Sequence, residues 1–204
     1  VPVYRRQDGV DTTKNEETFT RCWDVLAAGG AIALFPEGIS HDAPHLAPLR
    51  TGVARIVLGA ARELGVGGTR IVPIGLTFEE KGAFRSRALV TVGEPLDPAP
   101  WLAEAGRDEV AAVRGLTEAI RTSLAAVTLN YPSREEVPLI DQAASLWAVG
   151  ERELPARMAL AEAFALRRTA LAFYERTRAR NPQRAEALAR RVRAYGALLS
   201  ERSL

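Results

Sequence analysis

The chain has 204 residues, with 27 basic and 25 acidic side chains and a formal net charge of +2. Hydrophobic residues make up 47% and charged residues 25%, a composition that builds a globular core and excludes disordered or collagen-like classes. A single cysteine, Cys22, excludes an internal disulfide, and no run reaches the roughly 18 apolar residues that cross a bilayer.

No apolar stretch follows Arg5 and Arg6, so no signal peptide is expected at the start. The first residue is Val1 rather than methionine, which suggests a processed or partial chain. Lys14 and Lys81 are the only lysines. The arginine and alanine excess reads as genome composition. Charge is unevenly spread: residues 1–150 hold 15 basic and 19 acidic groups (−4), and residues 151–204 hold 12 arginines and 6 glutamates (+6). A basic C-terminal third suits acidic lipid headgroups or nucleic acid, and a solvated helix face with balancing glutamates is the plainer reading.

In chain order, Val1 to Val3 reads as a strand end. Thr13 to Gly29 reads as a helix, with Thr13 and Glu16 as a capping box, an apolar face of Phe19, Cys22, Trp23 and Leu26, and Gly29 as the stop. Ala31 to Phe35 is a short apolar run of the kind that forms a buried strand. A loop follows to Thr51. Val53 to Leu64 then predicts a helix with Val53, Ile56, Val57, Ala60 and Leu64 inward, Arg55 and Arg62 outward, and Gly65 as the stop.

Arg70 to Phe78 predicts a strand whose internal Pro73 argues for an edge or irregular position. Ala88 to Val92 predicts another, closed by Gly93-Glu94-Pro95. Asp108 caps a helix to about Val127, with Val110, Val113, Leu116, Ile120 and Leu124 on one stripe. The alternation implies an α/β domain with a mostly parallel sheet flanked by helices, over 1–131. From Pro132 onward the pattern is helical. Pro155 falls in the first turn of a long helix carrying Met158, Phe164 and Phe173, and Asn181-Pro182 breaks it. A second helix carries Leu188, Val192, Tyr195 and Leu199, so 132–204 reads as a helical extension built on an αα-hairpin.

The chemistry concentrates in Phe35-Pro36-Glu37-Gly38-Ile39-Ser40-His41-Asp42. In open α/β sheets, ligands bind beyond the C-terminal strand edges. Pro36 fixes the exit from such an edge, Gly38 permits positive φ or close approach, and Glu37 sits at a rigid turn. Arg50 precedes a helix start, where free backbone N–H groups and a fixed charge suit a phosphate. Arg5, after another strand end, supplies a second charge. Ser40 beside His41 suggests a hydrolase, but the second glycine of a Gly-x-Ser-x-Gly elbow is missing. Two histidines four apart make a poor metal site, and Gly65-Val66-Gly67-Gly68 lacks the Lys-Ser/Thr of a phosphate loop.

Three segments carry a resemblance: Val1-Pro2-Val3-Tyr4-Arg5, Phe35-Pro36-Glu37-Gly38 and Ile71-Val72-Pro73-Ile74. In order and spacing they resemble the second, third and fourth sequence blocks of the glycerol-3-phosphate and lysophosphatidate acyltransferases. Gly93-Glu94-Pro95-Leu96 is similar to the family's following strand end. The longer run from Phe35 to Gly52 resembles the glycerol-3-phosphate/dihydroxyacetone-phosphate branch. The resemblance covers about residues 1–98. It implies acyl transfer from acyl-CoA or acyl carrier protein, as co-substrate rather than cofactor, to glycerol 3-phosphate or a lysophospholipid.

By the same resemblance Arg5, Glu37, Gly38 and Arg50, with Ser40 nearby, shape the acceptor site, and Phe35, Pro36 and Pro73 support it. It further implies a peripheral place on the cytoplasmic side of a membrane, or an anchor outside this chain, and no nucleic-acid partner. The family's catalytic base lies in a His-x4-Asp block. Here Leu46 stands five residues after His41 and Arg50 five after His45, so neither makes that block. The block precedes the second block in the family, and truncation before Val1 is the expected reason. A non-catalytic lipid or phosphate binder and a Ser40 hydrolase are the alternatives.

Overall fold

The computed structural model describes residues 15–65, 68–151 and 158–202. The expected strand end at Val1 to Val3, the Thr13 cap, Arg5 and Pro155 lie outside these. The elements are α1 (Asn15–Ala27), α2 (Gly52–Leu64), β1 (Ile74–Phe78), β2 (Ala88–Val92), α3 (Ala99–Ala105), α4 (Glu109–Val127), α5 (Glu136–Glu151), α6 (Leu160–Arg180) and α7 (Pro182–Arg202). They fall into two units. One holds residues up to Ser40, Ala47–Ile74 and Val92–Val127, and the other holds His41–Leu46, Gly75–Thr91 and residues from Thr128.

The first unit is helical. α1 ends as the sequence predicts: Gly29 is left-handed (φ 74°), and Gly30 N–H donates to Val25 O at 2.8 Å, closing a Schellman-type stop. Gly65 ends α2 in the same way (φ 61°), donating to Ala60 O. Asp108 caps α4 through Ala111 N–H at 3.0 Å. The core joins Ala54, Val57 and Leu58 of α2 to Ala112, Val113, Leu116 and Ile120 of α4, with Leu49, Ile71, Leu96 and Trp101 packed around it. Leu116 is fully buried, and a side chain of its size contributes about 1.5–3 kcal/mol on burial. Leu64 and Val110, expected inward, are exposed, whereas Leu58 is buried. Each expected position lies near a helix end, where the partner helix no longer covers it. Gly59 lets the Trp23 ring of α1 lie against α2, since a Cβ there would stand 2.4 Å from Trp23 Cζ2.

The expected mostly parallel sheet is not what the described residues form. Their sheet has two strands, β1 and β2, paired as an antiparallel hairpin. Bonds from Glu79 N–H to Arg87 O and from Gly93 N–H to Pro73 O bracket it, and Ile71 bridges Leu96 beyond. Pro73, which cannot donate, shortens the expected Arg70–Phe78 strand to Ile74–Phe78. Ala31 to Phe35 forms no strand. Leu34 and Phe35 are exposed, Phe35 by 82%. A strand exists only where a neighbour completes its hydrogen-bond ladder, and no described segment pairs with this one. The hairpin shows the same lack of cover: Ile74, Leu76, Phe78, Val90 and Val92 are all exposed.

The second unit packs α5, α6 and α7 together. Tyr131, Ile140, Ala144, Ala170 and Leu171 form its core. Two carboxylates of α5 collect partners from α6 and from the loop before α5. Asp141 accepts from Tyr131 Oη at 3.1 Å and Arg167 Nε at 3.0 Å, and Glu136 accepts from Tyr174 Oη at 2.8 Å and Arg178 Nη1 at 2.9 Å. Burial and the neighbouring Asp141 charge push the Tyr131 hydroxyl well above its usual range, so it stays a donor. The expected αα-hairpin exists as α6 and α7, with Asn181 Oδ1 capping α7 through Arg184 N–H. Helix α5 is an additional element. Met158, expected inside the long helix, precedes α6.

Two outcomes follow from this packing. Gly59→Ala forces its Cβ into a rigid indole and lowers unfolding stability by about 1–3 kcal/mol, read from the denaturant midpoint. Burial raises the Cys22 thiol pKa, so a thiol reagent modifies native protein slowly and unfolded protein fast. Fast native modification would place Cys22 at the surface.

Candidate acceptor site at the start of helix α2

The Phe35-Pro36-Glu37-Gly38 segment is a tight turn. Gly38 N–H donates to Phe35 O at 3.1 Å across Pro36 and Glu37. Gly38 has φ 66°, a conformation that favours glycine. The chain leaves the first unit after Ser40 and returns at Ala47. Its return is fastened to the turn twice. Ala47 N–H donates to Glu37 Oε2 at 2.6 Å, and Arg50 N–H donates to Pro36 O at 2.7 Å. Glu37 thereby holds the loop that delivers Arg50 to the start of α2.

Gly38 and Arg50 meet directly. A Cβ at position 38 would lie 3.2 Å from Arg50 Cγ and 3.9 Å from its Nε. The missing side chain leaves room for the arginine stem, and Arg50 remains exposed. Thr51 occupies the N-cap position of α2 but places no side-chain oxygen on the helix amides, and the first turn holds no acid. Instead Arg55 folds back, its Nε donating to Thr51 Oγ1 at 3.3 Å. The Arg55 guanidinium therefore lies back over the start of α2, and Arg50 stands two residues before the helix with its stem against Gly38.

Of the expected site residues, the structure brings together Glu37, Gly38 and Arg50, with Pro36 in the turn. Ser40 and Phe35 are exposed beside it in sequence. Pro73 is buried elsewhere in the unit, against Gly93, where a Cβ would come within 2.9 Å of Pro73 Cγ. Sequence reasoning missed Arg55, taking it as merely outward. Its place four residues after Thr51, one helical turn on, is the signal that finds it. A cavity of about 290 Å³, lined by Leu58, Gly59, Leu102 and Ala105 with Arg62 and Glu109, opens near the other end of α2, and the Glu109 carboxylate there accepts from Arg62 Nη1 at 3.0 Å.

In the second unit, His41 to Leu46 is a pinned loop. His41 Nδ1 accepts from Ala43 N–H at 3.1 Å, and Asn130 Oδ1 accepts from Leu46 N–H at 2.9 Å. Lys81 bonds the Asp42 carboxylate, and Arg134 Nη2 donates to Asp42 O at 2.8 Å. The Lys81 hydrogen bond and its charge hold the Asp42 carboxyl below the usual carboxylate range. Among the described residues no cluster of His, Cys, Asp and Glu could hold a metal ion.

The relatives point the same way as the turn. The chain is 36% identical over 142 residues to glycerol-3-phosphate O-acyltransferase 2 of Saccharomyces cerevisiae, 69% of this chain and 19% of that protein. It is 34% identical to glycerol-3-phosphate O-acyltransferase 1 of the same yeast, over 60% of this chain and 16% of that protein. An uncharacterized acyltransferase of Schizosaccharomyces pombe is 33% identical over 60% of this chain and 18% of its own length. No sequence-family profile and no solved structure matches the chain. These relatives make the chain a homologue of the glycerol-3-phosphate O-acyltransferases, a class of O-acyltransferase enzymes. It spans less than a fifth of the length of those curated relatives.

Two measurements check the site's construction. Glu37→Ala strands the Ala47 N–H and costs about 1–3 kcal/mol of stability. For Asp42 the folded pKa is depressed. Its contribution is therefore present above the unfolded value near ~4 and is lost as pH falls through the lower folded value. An NMR titration of the Asp42 carboxyl should move upward in Lys81→Ala, and an unchanged midpoint would dismiss the pairing.

Proposed function

We propose that the turn at Pro36–Gly38 and the start of α2 form the phosphate end of an acceptor site for glycerol 3-phosphate or a related lysophospholipid. The reaction is transfer of a fatty acyl group from acyl-CoA or acyl carrier protein. The observation that carries this reading is the pairing of Arg50 and Arg55 with an uncapped helix start. Cations at the positive end of a helix dipole are unfavourable by themselves. A bound dianion reverses that sign, because it accepts from the amides and pairs with both guanidiniums. Gly38 keeps the approach open, and Glu37 sets the position of Arg50 through the loop rather than by contact with substrate.

In the chemical step the acceptor hydroxyl oxygen forms a bond to the thioester carbonyl carbon. The C–S bond breaks, and the hydroxyl proton passes through a general base to the leaving thiolate. By resemblance that base is the histidine of a His-x4-Asp block, which the 204-residue sequence lacks. Residues 1–131 then contribute acceptor binding, with Arg5 as a further cation, and 132–204 is a helical extension. Working on glycerolipids, the protein acts at the cytoplasmic side of a membrane, held peripherally or by an anchor outside this chain. Among the described residues no helix is long and apolar enough to cross one.

Calorimetry tests the acceptor site. Glycerol 3-phosphate binds and glycerol does not, and Arg50→Ala or Arg55→Gln weakens binding roughly 10- to 150-fold, the size of one charge-assisted contact of ~1.5–3 kcal/mol. Equal affinity in both variants would remove the phosphate from α2. In an acyl-CoA assay this chain alone gives no turnover above background. Robust turnover would show that the base lies within it and that the His-x4-Asp assignment is wrong.

A further inference from the structure

Helix α7 is laid down on its small residues. Ala185 and Ala189 are buried, Gly196 is buried, and a Cβ on Gly196 would run into the Gln142 side chain of α5. These positions, at spacings of four and seven, set which face turns inward. The outward side carries Arg184, Arg190 and Arg191, all exposed, with Arg193 exposed on the flank nearer the buried face, against a single acid over 183–199, Glu186. Arg190 lies 3.8 Å from Glu186, a loose surface contact. Among these arginines stand Tyr195 and Leu198, 49% and 55% exposed. Arg191, Tyr195 and Leu198 follow one another at spacings of four and three, on one stripe of the helix.

A solvated face would not need a large aliphatic and a tyrosine among its charges. A face for nucleic acid would not need the leucine. Basic side chains interleaved with apolar ones, on a helix too charged to span, match the headgroup boundary of an anionic bilayer. We propose that the outward face of α7 is an anionic-lipid contact. Tyr195 and Leu198 enter the acyl boundary, while Arg184, Arg190 and Arg191 reach the headgroup phosphates. The proposal rests on the reading of the chain as a glycerolipid enzyme at a membrane surface, and names the element that makes the contact.

Co-sedimentation of the full 204-residue chain with phosphatidylcholine vesicles, with and without phosphatidylserine, tests it. Wild type pellets with the phosphatidylserine vesicles and is released as salt rises. Arg190→Gln with Arg191→Gln weakens binding tenfold or more, at about 1 kcal/mol per charge near the surface. Leu198→Ser weakens it several-fold with no change in charge. Arg107→Gln, an exposed arginine of the first unit, leaves binding unchanged. Far-UV dichroism and the melting temperature confirm that the exposed-site variants remain folded.

Vesicle binding that survives all the α7 changes would remove the contact from α7 and leave the peripheral reading standing. Wild type that ignores phosphatidylserine vesicles would overturn both. Wild type that instead binds an RNA homopolymer through the same arginines would turn the surface over to nucleic acid. None of these results bears on the acceptor site, which glycerol 3-phosphate binding tests separately.

Discussion

Two hydrogen bonds hold the candidate site in place: Ala47 N–H to Glu37 Oε2 and Arg50 N–H to Pro36 O. They tie the end of a long loop to a tight turn, so Arg50, two residues before α2, cannot wander. Everything assigned to this end of the molecule depends on that fastening. Arg50 can meet Gly38 only because the loop closes there, and α2 can present its amides beside the turn only because its other face is buried against α4. The carboxylate is thus a structural clamp whose product is the position of a cation.

The charge pattern around α2 departs from ordinary helix design. Natural helices favour acids in the first turn, and this one has none there and brings Arg55 back toward Thr51. Such departures from local preference are expected where a site is built. The Lys81–Asp42 and Arg134 contacts in the other unit obey the ordinary rule, since each cation there meets an oxygen acceptor.

The apolar residues exposed on the hairpin and at Leu34 and Phe35 have a different origin. Alternation along a strand guarantees that one face is apolar, but only a neighbouring layer can bury it. Among the described residues the hairpin has no such layer on the face of Leu76 and Val90. The expectation of a mostly parallel sheet came from reading apolar runs as strands. Whether a run becomes a strand is decided by another segment's hydrogen-bonding groups, and composition carries no information about those.

Local chemistry was legible from the chain alone. Gly29 and Gly65 end their helices, Asp108 begins its helix, Asn181-Pro182 breaks the last two apart, Ala88–Val92 is a strand, and the Phe35–Gly38 turn forms where Pro and Gly require it. These depend on φ, on a missing N–H or on a side-chain oxygen within three residues, and so need no distant partner. The ordered blocks also pointed to the acyltransferase relatives. Tertiary structure alone decided that Leu64 and Val110 face solvent, that Ala31–Phe35 pairs with no segment among the described residues, that α5 joins α6 and α7, and that Gly38 touches Arg50 across the loop. Each depends on which surfaces meet, and that is set by packing between segments far apart in the sequence.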